Sequence, residues 1–116
     1  MLSRFLLSLL LLAPTMPTHA LSRQCGIASF YGYEHHGMRT ANGERFDANA
    51  MTAAHRSLPF GTRLRVTNQS NGKSVVIRVN DYGPTIPSRI IDLSRGAFAS
   101  IASPSSGLAE ICMTKL

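Results

Sequence analysis

The sequence predicts a mainly β protein, a small closed or nearly closed barrel of five or six short strands with one or two short helices. Three observations point there. Runs of β-branched residues alternate apolar with polar, most plainly over residues 62–67 and 74–79. Gly, Pro and Asn punctuate the chain between such runs. The length allows one hydrophobic core and no second one.

The first residues are set apart from that fold. Arg4 supplies a positive charge, residues 5–12 form an apolar run, and Thr18-His19-Ala20 places small residues before a cut after Ala20. This pattern predicts a secretory signal peptide over residues 1–20 and a single domain over residues 21–116. The apolar run is far shorter than the roughly 20 residues a membrane span needs, so no transmembrane segment is expected in the mature chain. An exported location follows, periplasmic or secreted, with association to the wall or outer membrane open. A lipoprotein is not expected, because Ser22-Arg23-Gln24 stands where a lipobox has small residues.

Taken in order, Gly26-Ile27-Ala28-Ser29-Phe30-Tyr31 reads as the first strand. Residues 32–44 have many Gly and polar groups and no period, so they read as a long loop that binds or acts on something. Residues 47–54 read as one helical turn or two, ending at His55. Pro59-Phe60-Gly61 turns the chain into the strand of residues 62–67. Asn71-Gly72 then signals a hairpin into a strand that starts at Ser74. Arg89-Ile90-Ile91-Asp92-Leu93 is a further strand, and Ser94 is placed to cap a helix over residues 95–102, which Ser103-Pro104 ends. Residues 107–116 close as a last strand.

The strand beginning at Ser74 carries the most suggestive residue. Counted by twos, Asp81 falls on the face of Val75, Ile77 and Val79 before Gly83-Pro84 turns the chain. A partly desolvated carboxyl group there is suited to donate a proton near neutral pH. The alternative is a turn-starting Asp that bonds the next amides.

The chain has 12 basic and 6 acidic residues, a net charge of +6; removing Arg4 leaves +5. Such a surface favours anionic partners, wall polymers or anionic lipid in an exported protein. With no Trp and scattered arginines, no nucleic-acid partner is expected. Cys25 and Cys112 near opposite ends read as a disulfide in an oxidising compartment, or else as two buried thiols. The bridge would require the first and last strands to be neighbours.

No Ser sits in a Gly-x-Ser-x-Gly elbow and no phosphate-cradling glycine loop occurs, which leaves acid–base chemistry by carboxylates and histidine. The candidates are Asp81, Glu44, His55, His35-His36, Asp47 and Asp92. Asp47 and Asp92 read as backbone-bonding residues near helix starts. Adjacent histidines rarely point at one ion, so no metal and no cofactor are expected. Tyr31, Tyr33 and Tyr82 are expected to contact substrate, since flat rings stack on sugar faces, with Asn42 and Asn80 beside them; Phe46 reads as core.

These residues resemble the rare lipoprotein A (RlpA) family. The motifs are Gly26-Ile27-Ala28-Ser29-Phe30-Tyr31-Gly32, Thr40-Ala41-Asn42-Gly43-Glu44-Arg45-Phe46-Asp47, Thr52-Ala53-Ala54-His55 and Leu58-Pro59-Phe60-Gly61-Thr62. Val66-Thr67-Asn68, Asn71-Gly72-Lys73-Ser74, Val79-Asn80-Asp81 with Gly83-Pro84, and Ile90-Ile91-Asp92-Leu93-Ser94 complete them. The resemblance covers nearly all of the mature chain.

It implies a six-stranded double-psi β-barrel and a bacterial lytic transglycosylase acting on peptidoglycan glycan strands. Such an enzyme cuts the β-1,4 bond between N-acetylmuramic acid and N-acetylglucosamine without water, leaving a 1,6-anhydro end. The family's active-site positions fall on Glu44, His55 and Asp81. Asp81 is expected to give and take the proton, His55 to orient it by a hydrogen bond, and Glu44 to position sugar or stabilise positive charge. The family usually has Arg or Lys between the catalytic Asp and Gly, where this chain has Tyr82. Neither a SPOR-type repeat nor a lipobox is read, so the resemblance leaves septal targeting and outer-membrane anchoring open. The chain reads as a monomer. The rival reading is a non-catalytic, expansin-like module that binds or loosens the wall.

Overall fold

The computed structural model describes residues 23–116. The expected signal peptide and its cut lie outside them. Six strands, β1 (Gln24–Tyr31), β2 (Thr52–Ala54), β3 (Arg63–Asn68), β4 (Ser74–Asp81), β5 (Arg89–Ser94) and β6 (Ala109–Lys115), close into a barrel in the order β1-β5-β2-β4-β3-β6. One helix, α1 (Arg95–Ile101), lies between β5 and β6, and single 3-10 turns occur at Tyr33–His35 and Pro104–Ser106. The expected barrel and helix are both present.

The alternation seen in sequence becomes the wall of the barrel. In β3, Leu64 and Val66 are buried while Arg63 and Arg65 are exposed. Ile77 and Val79 of β4, Ile91 and Leu93 of β5, and Ile111 and Met113 of β6 fill the same interior. Helix α1 adds Ala97, Phe98 and Ile101, and Phe98 packs on Phe30 with ring centroids 4.6 Å apart. Ser94 caps that helix as expected: its Oγ accepts from the Ala97 amide at 3.1 Å and donates to the Ala50 carbonyl. The predicted hairpin joins β3 to β4, with Gly72 at φ 76°, a conformation that Gly adopts without strain.

The barrel closes where β6 returns to β1. Cys25 pairs with Cys112 across the two strands, and a disulfide links them over a sequence separation of 87. Fixing so long a loop disfavours the unfolded chain by about 4–5 kcal/mol.

Residues 47–54 differ from the helical expectation. Asp47 accepts from the Asn49 amide at 2.9 Å and its carbonyl from Ala50 at 3.1 Å, a turn rather than a helix. The strand β2 follows. Three residues are too few to show a period, and Ala favours helix intrinsically. Parallel pairing with β4 and antiparallel pairing with β5 override that preference.

A bulge then decides where Asp81 sits. Ala53 faces Val79 and the next residue, Ala54, faces Asp81, so Asn80 is an extra residue on β4. Val79 is sealed in the core with Ala53. Asp81 is not on that face, where counting by twos places it, but beside Ala54 on the outer side of the wall. A pattern of apolar residues does not reveal a one-residue insertion into the ladder.

Candidate active site

Pairing across four strands builds one outward-facing row. Ser29 of β1 pairs with Asp92 of β5, Asp92 with Ala54 of β2, and Ala54 with Asp81 of β4. Cross-strand partners share a face of the sheet. The intervening residues Ala28, Ala53, Ile91 and Leu93 point inward to the core. Ala54 stands between the two Asp residues in this row, and there the wall is hollowed into a cleft of about 230 Å³. Tyr31, Asp81 and Asp92 line it together with His35, Met38, Phe46 and Tyr82.

Asp81 is fixed by the loop that precedes β2. The Gly37 amide donates to the Phe46 carbonyl at 2.8 Å and the Phe46 amide to Met38 at 2.7 Å, which folds residues 37–46 into a tight finger. Its tip is pinned to β4 by the Asn42 amide donating to the Asn80 carbonyl at 3.3 Å. The Ala41 amide thereby reaches Asp81 Oδ1 at 2.9 Å, and the Tyr82 amide donates to the same oxygen at 2.9 Å. Asp81 therefore both ends the strand as a turn-forming Asp and faces the cleft. The two roles use different oxygens: Oδ2 has no partner among the described residues.

Asp92 stands in a different environment. Burial pushes its carboxyl up to about 6, outweighing the Ser29 hydroxyl that donates to Oδ1 at 3.3 Å and the charges of Arg89 and His35; Asp81 adds to the rise. Tyr31 is half-buried and stacks on Phe46 at 4.4 Å, with His35 edge-on at 5.6 Å. Burial, then Asp81 and Asp92, raise its phenol far above the ordinary value, and its hydroxyl has no hydrogen-bond partner among the described residues.

Glu44 lies at the other side of the finger. Its Oε1 accepts from Asn80 Nδ2 at 2.6 Å and Arg78 at 2.9 Å, and these bonds, that from Asn80 above all, hold its carboxyl below the usual value. Asn80 is 1% exposed and Asn42 Oδ1 accepts from Thr40 Oγ1 at 2.5 Å and the Glu44 amide at 3.2 Å, so both asparagines are occupied in shaping the finger. The expected side-chain bond between His55 and Asp81 is not among those of the described residues. The link is through the backbone, the His55 amide donating to the Asp81 carbonyl at 3.1 Å. His55 Nδ1 accepts from the amides of Ser57 and Leu58, and burial followed by Arg56 lowers its pKa. Tyr33 is exposed under the Arg95 guanidinium, 5.1 Å from its ring, outside the cleft lining, whereas Tyr31 and Tyr82 belong to it.

The structure thus gathers Asp81, Tyr31 and Tyr82 at one cleft, while Glu44, His55, Asn42 and Asn80 are not among its lining residues. The residue that sequence reasoning sets aside is Asp92, read as a helix-start residue. Its signal is present in Ile91-Asp92-Leu93, where alternation turns the carboxyl away from two core side chains.

With this geometry in view, a family model described as lytic transglycolase matches residues 23–113. The chain belongs to this family. Proteins named as endolytic peptidoglycan transglycosylase RlpA are similar to it. A Synechocystis protein carrying that name as probable is 60% identical over 88 residues, covering 76% of this chain and 27% of its own. One from Campylobacter jejuni is 52% identical over 86 residues, covering 74% and 31%. The chain therefore spans about a quarter to a third of the length of these relatives. Among solved structures, the Streptomyces papain inhibitor superposes with a TM-score of 0.66 at 24% identity, covering 81% of this chain and 94% of that one. A point mutant of the Clavibacter michiganensis expansin, in complex with cellohexaose, gives 0.66 at 21% identity, over 81% and 50%. At such identities the likeness shows the fold, which is the double-psi β-barrel expected from the resemblance.

Proposed function

We propose that this domain is an endolytic peptidoglycan lytic transglycosylase that acts on glycan strands outside the cytoplasm, in the periplasm or beyond. The observation that carries the reading is the outer-wall cleft, in a family described as lytic transglycolase, with Asp81 fixed by two amides and one carboxylate oxygen open. Cleavage breaks the C1–O4 bond between N-acetylmuramic acid and N-acetylglucosamine while the muramyl 6-hydroxyl attacks C1. No water enters, so the product carries a 1,6-anhydro ring. The developing oxocarbenium-like charge needs a nearby anion, the leaving oxygen needs a proton, and the 6-hydroxyl must lose one. Asp81 supplies the carboxyl group, and in the simplest scheme it serves both proton steps.

Glu44 and His55 act through Asp81. Glu44 locks Arg78 and Asn80 and so sets the finger whose Ala41 amide holds Asp81. His55 fixes the turn after β2 through Nδ1 and holds the Asp81 main chain through its amide. Exposed Tyr82 and Met38 on the rim offer flat or soft apolar surface to sugar faces. The positive net charge draws the domain to anionic wall polymers and speeds encounter.

The test is digestion of purified peptidoglycan followed by mass spectrometry of the released fragments. The expected products carry 1,6-anhydromuramyl ends. Binding without such ends would instead support the expansin-like module.

A further inference from the structure

We propose that Asp92 is a second catalytic residue of this cleft, the acid that protonates the leaving oxygen, while Asp81 acts as the base. The inference rests on the transglycosylase reading and divides between two residues the proton work that the simplest scheme gives to one.

Position comes first. Asp81 and Asp92 are both register partners of Ala54, one from each side. Strands lie about 4.8 Å apart, so roughly 10 Å separates the two backbones, and both side chains border the hollow over Ala54. Carboxyl pairs that work on glycosidic bonds flank the bond in this way. A side chain larger than Ala at residue 54 would stand where the scissile linkage has to lie.

The two carboxyl groups are dressed for opposite tasks. Two amides donate to Oδ1 of Asp81, so that oxygen cannot carry a proton, and the open oxygen is left to accept one. Asp92 receives one long bond from Ser29 and forms no ion pair among the described residues. The groups facing it are Ser29 and Tyr31 of β1, Ala54 of β2, Asp81 of β4, His35 of the 3-10 turn, and Arg89 of its own strand. Burial outweighs the cations among them, and the carboxyl reaches neutral pH with a proton to give in part of the molecules.

The step balances. The Asp92 O–H bond breaks and its proton passes to O4 as the C1–O4 bond breaks. The O6–C1 bond forms as the 6-hydroxyl proton passes to the Asp81 carboxylate. Asp92 ends as carboxylate and Asp81 as acid, and exchange with solvent restores both before the next turnover.

Two substrates separate the roles, because a nitrophenolate leaves without help from an acid. On glycan strands, Asp92→Asn should lower formation of anhydro ends about 10²–10⁴-fold. On a nitrophenyl β-glycoside of N-acetylmuramic acid it should keep a rate within about tenfold of wild type, while Asp81→Asn fails on both. Equal loss of both substrates in Asp92→Asn, or wild-type cleavage of glycan strands, overturns the proposal. Carboxyl-carbon NMR titration of the wild-type protein reads the same residue without any turnover. A midpoint near 6 for Asp92 is expected, and an ordinary carboxylate midpoint overturns the assignment of the acid. Failure of wild type to make anhydro ends would overturn the transglycosylase reading itself, and the titration would then still decide whether Asp92 holds the cleft's proton.

Discussion

The two sides of this barrel are built on different terms. Along β1, β6 and β3 the strands run antiparallel in five-residue registers without a break, and a disulfide crosses the β1–β6 seam. Along β1, β5, β2 and β4 the registers slip twice, at Ile90 and at Asn80, and one of the strands is only three residues long. The regular side holds the chain together. The irregular side aims side chains outward, because the slip at Asn80 hands Asp81 from the core face to the outer one. The cleft therefore exists where the ladder gives way, with stability supplied from the opposite wall.

The two halves of this division can be broken separately. The largest effect belongs to Asp81→Asn, which keeps both amide contacts of Oδ1. Formation of anhydro ends should fall about 10²–10⁴-fold, with the urea midpoint unmoved; a matching loss of stability would mean that Asp81 serves the fold instead. Next is the seam. Replacing Cys25 and Cys112 by Ser should lower unfolding free energy by about 4–5 kcal/mol in denaturant titrations. Activity of the molecules that remain folded should persist in a cold assay, and its disappearance would show that the two walls are coupled.

A smaller effect sharpens the comparison from within the cleft. The folded Asp92 carboxyl is raised from 3.8 to about 6, so its contribution to stability is present below the unfolded value and lost as pH rises through 6. The ionised group is thus a burden at pH 8. Asp92→Asn should raise the unfolding free energy there by on the order of 2 kcal/mol, with the gain vanishing below pH 4. A destabilised variant at pH 8 would contradict a cleft built at the cost of stability. Glu44 runs the other way and is the smallest. Its carboxyl is held below the ordinary value by Asn80 and Arg78, so its contribution is present above the unfolded value and lost as pH falls through the folded one. Solvent screens it. Glu44→Gln should cost under about 1 kcal/mol at pH 7 and nothing at low pH, as paired melts at the two pH values would show.

Much of the regular wall is legible in the sequence, because alternation in residues 62–67 and the Asn71-Gly72 turn state a hairpin outright. The cap at Ser94 and the Cys25–Cys112 pairing are legible for the same kind of reason: each is a local rule or a two-member inventory. The irregular wall is not. β2 is held by partners distant in sequence, and nothing local outweighs the helical preference of Ala53-Ala54. The bulge at Asn80 is invisible to counting by twos, so the sequence pattern puts Asp81 on the wrong face. Asp92 is hidden by its own neighbourhood, since an Asp just before the start of a helix looks like a cap.

The seam also matters outside the cleft. Because Gln24 pairs with Met113, the described chain enters and leaves the barrel at the same place. A domain with adjoining ends can be spliced into a longer polypeptide as a self-contained bead, without stretching what flanks it. By the same logic its ends can be fused and reopened elsewhere. A circular permutant cut at the exposed Asn71-Gly72 hairpin, with Arg23 joined to Leu116 by a short linker, should refold with its cleft intact.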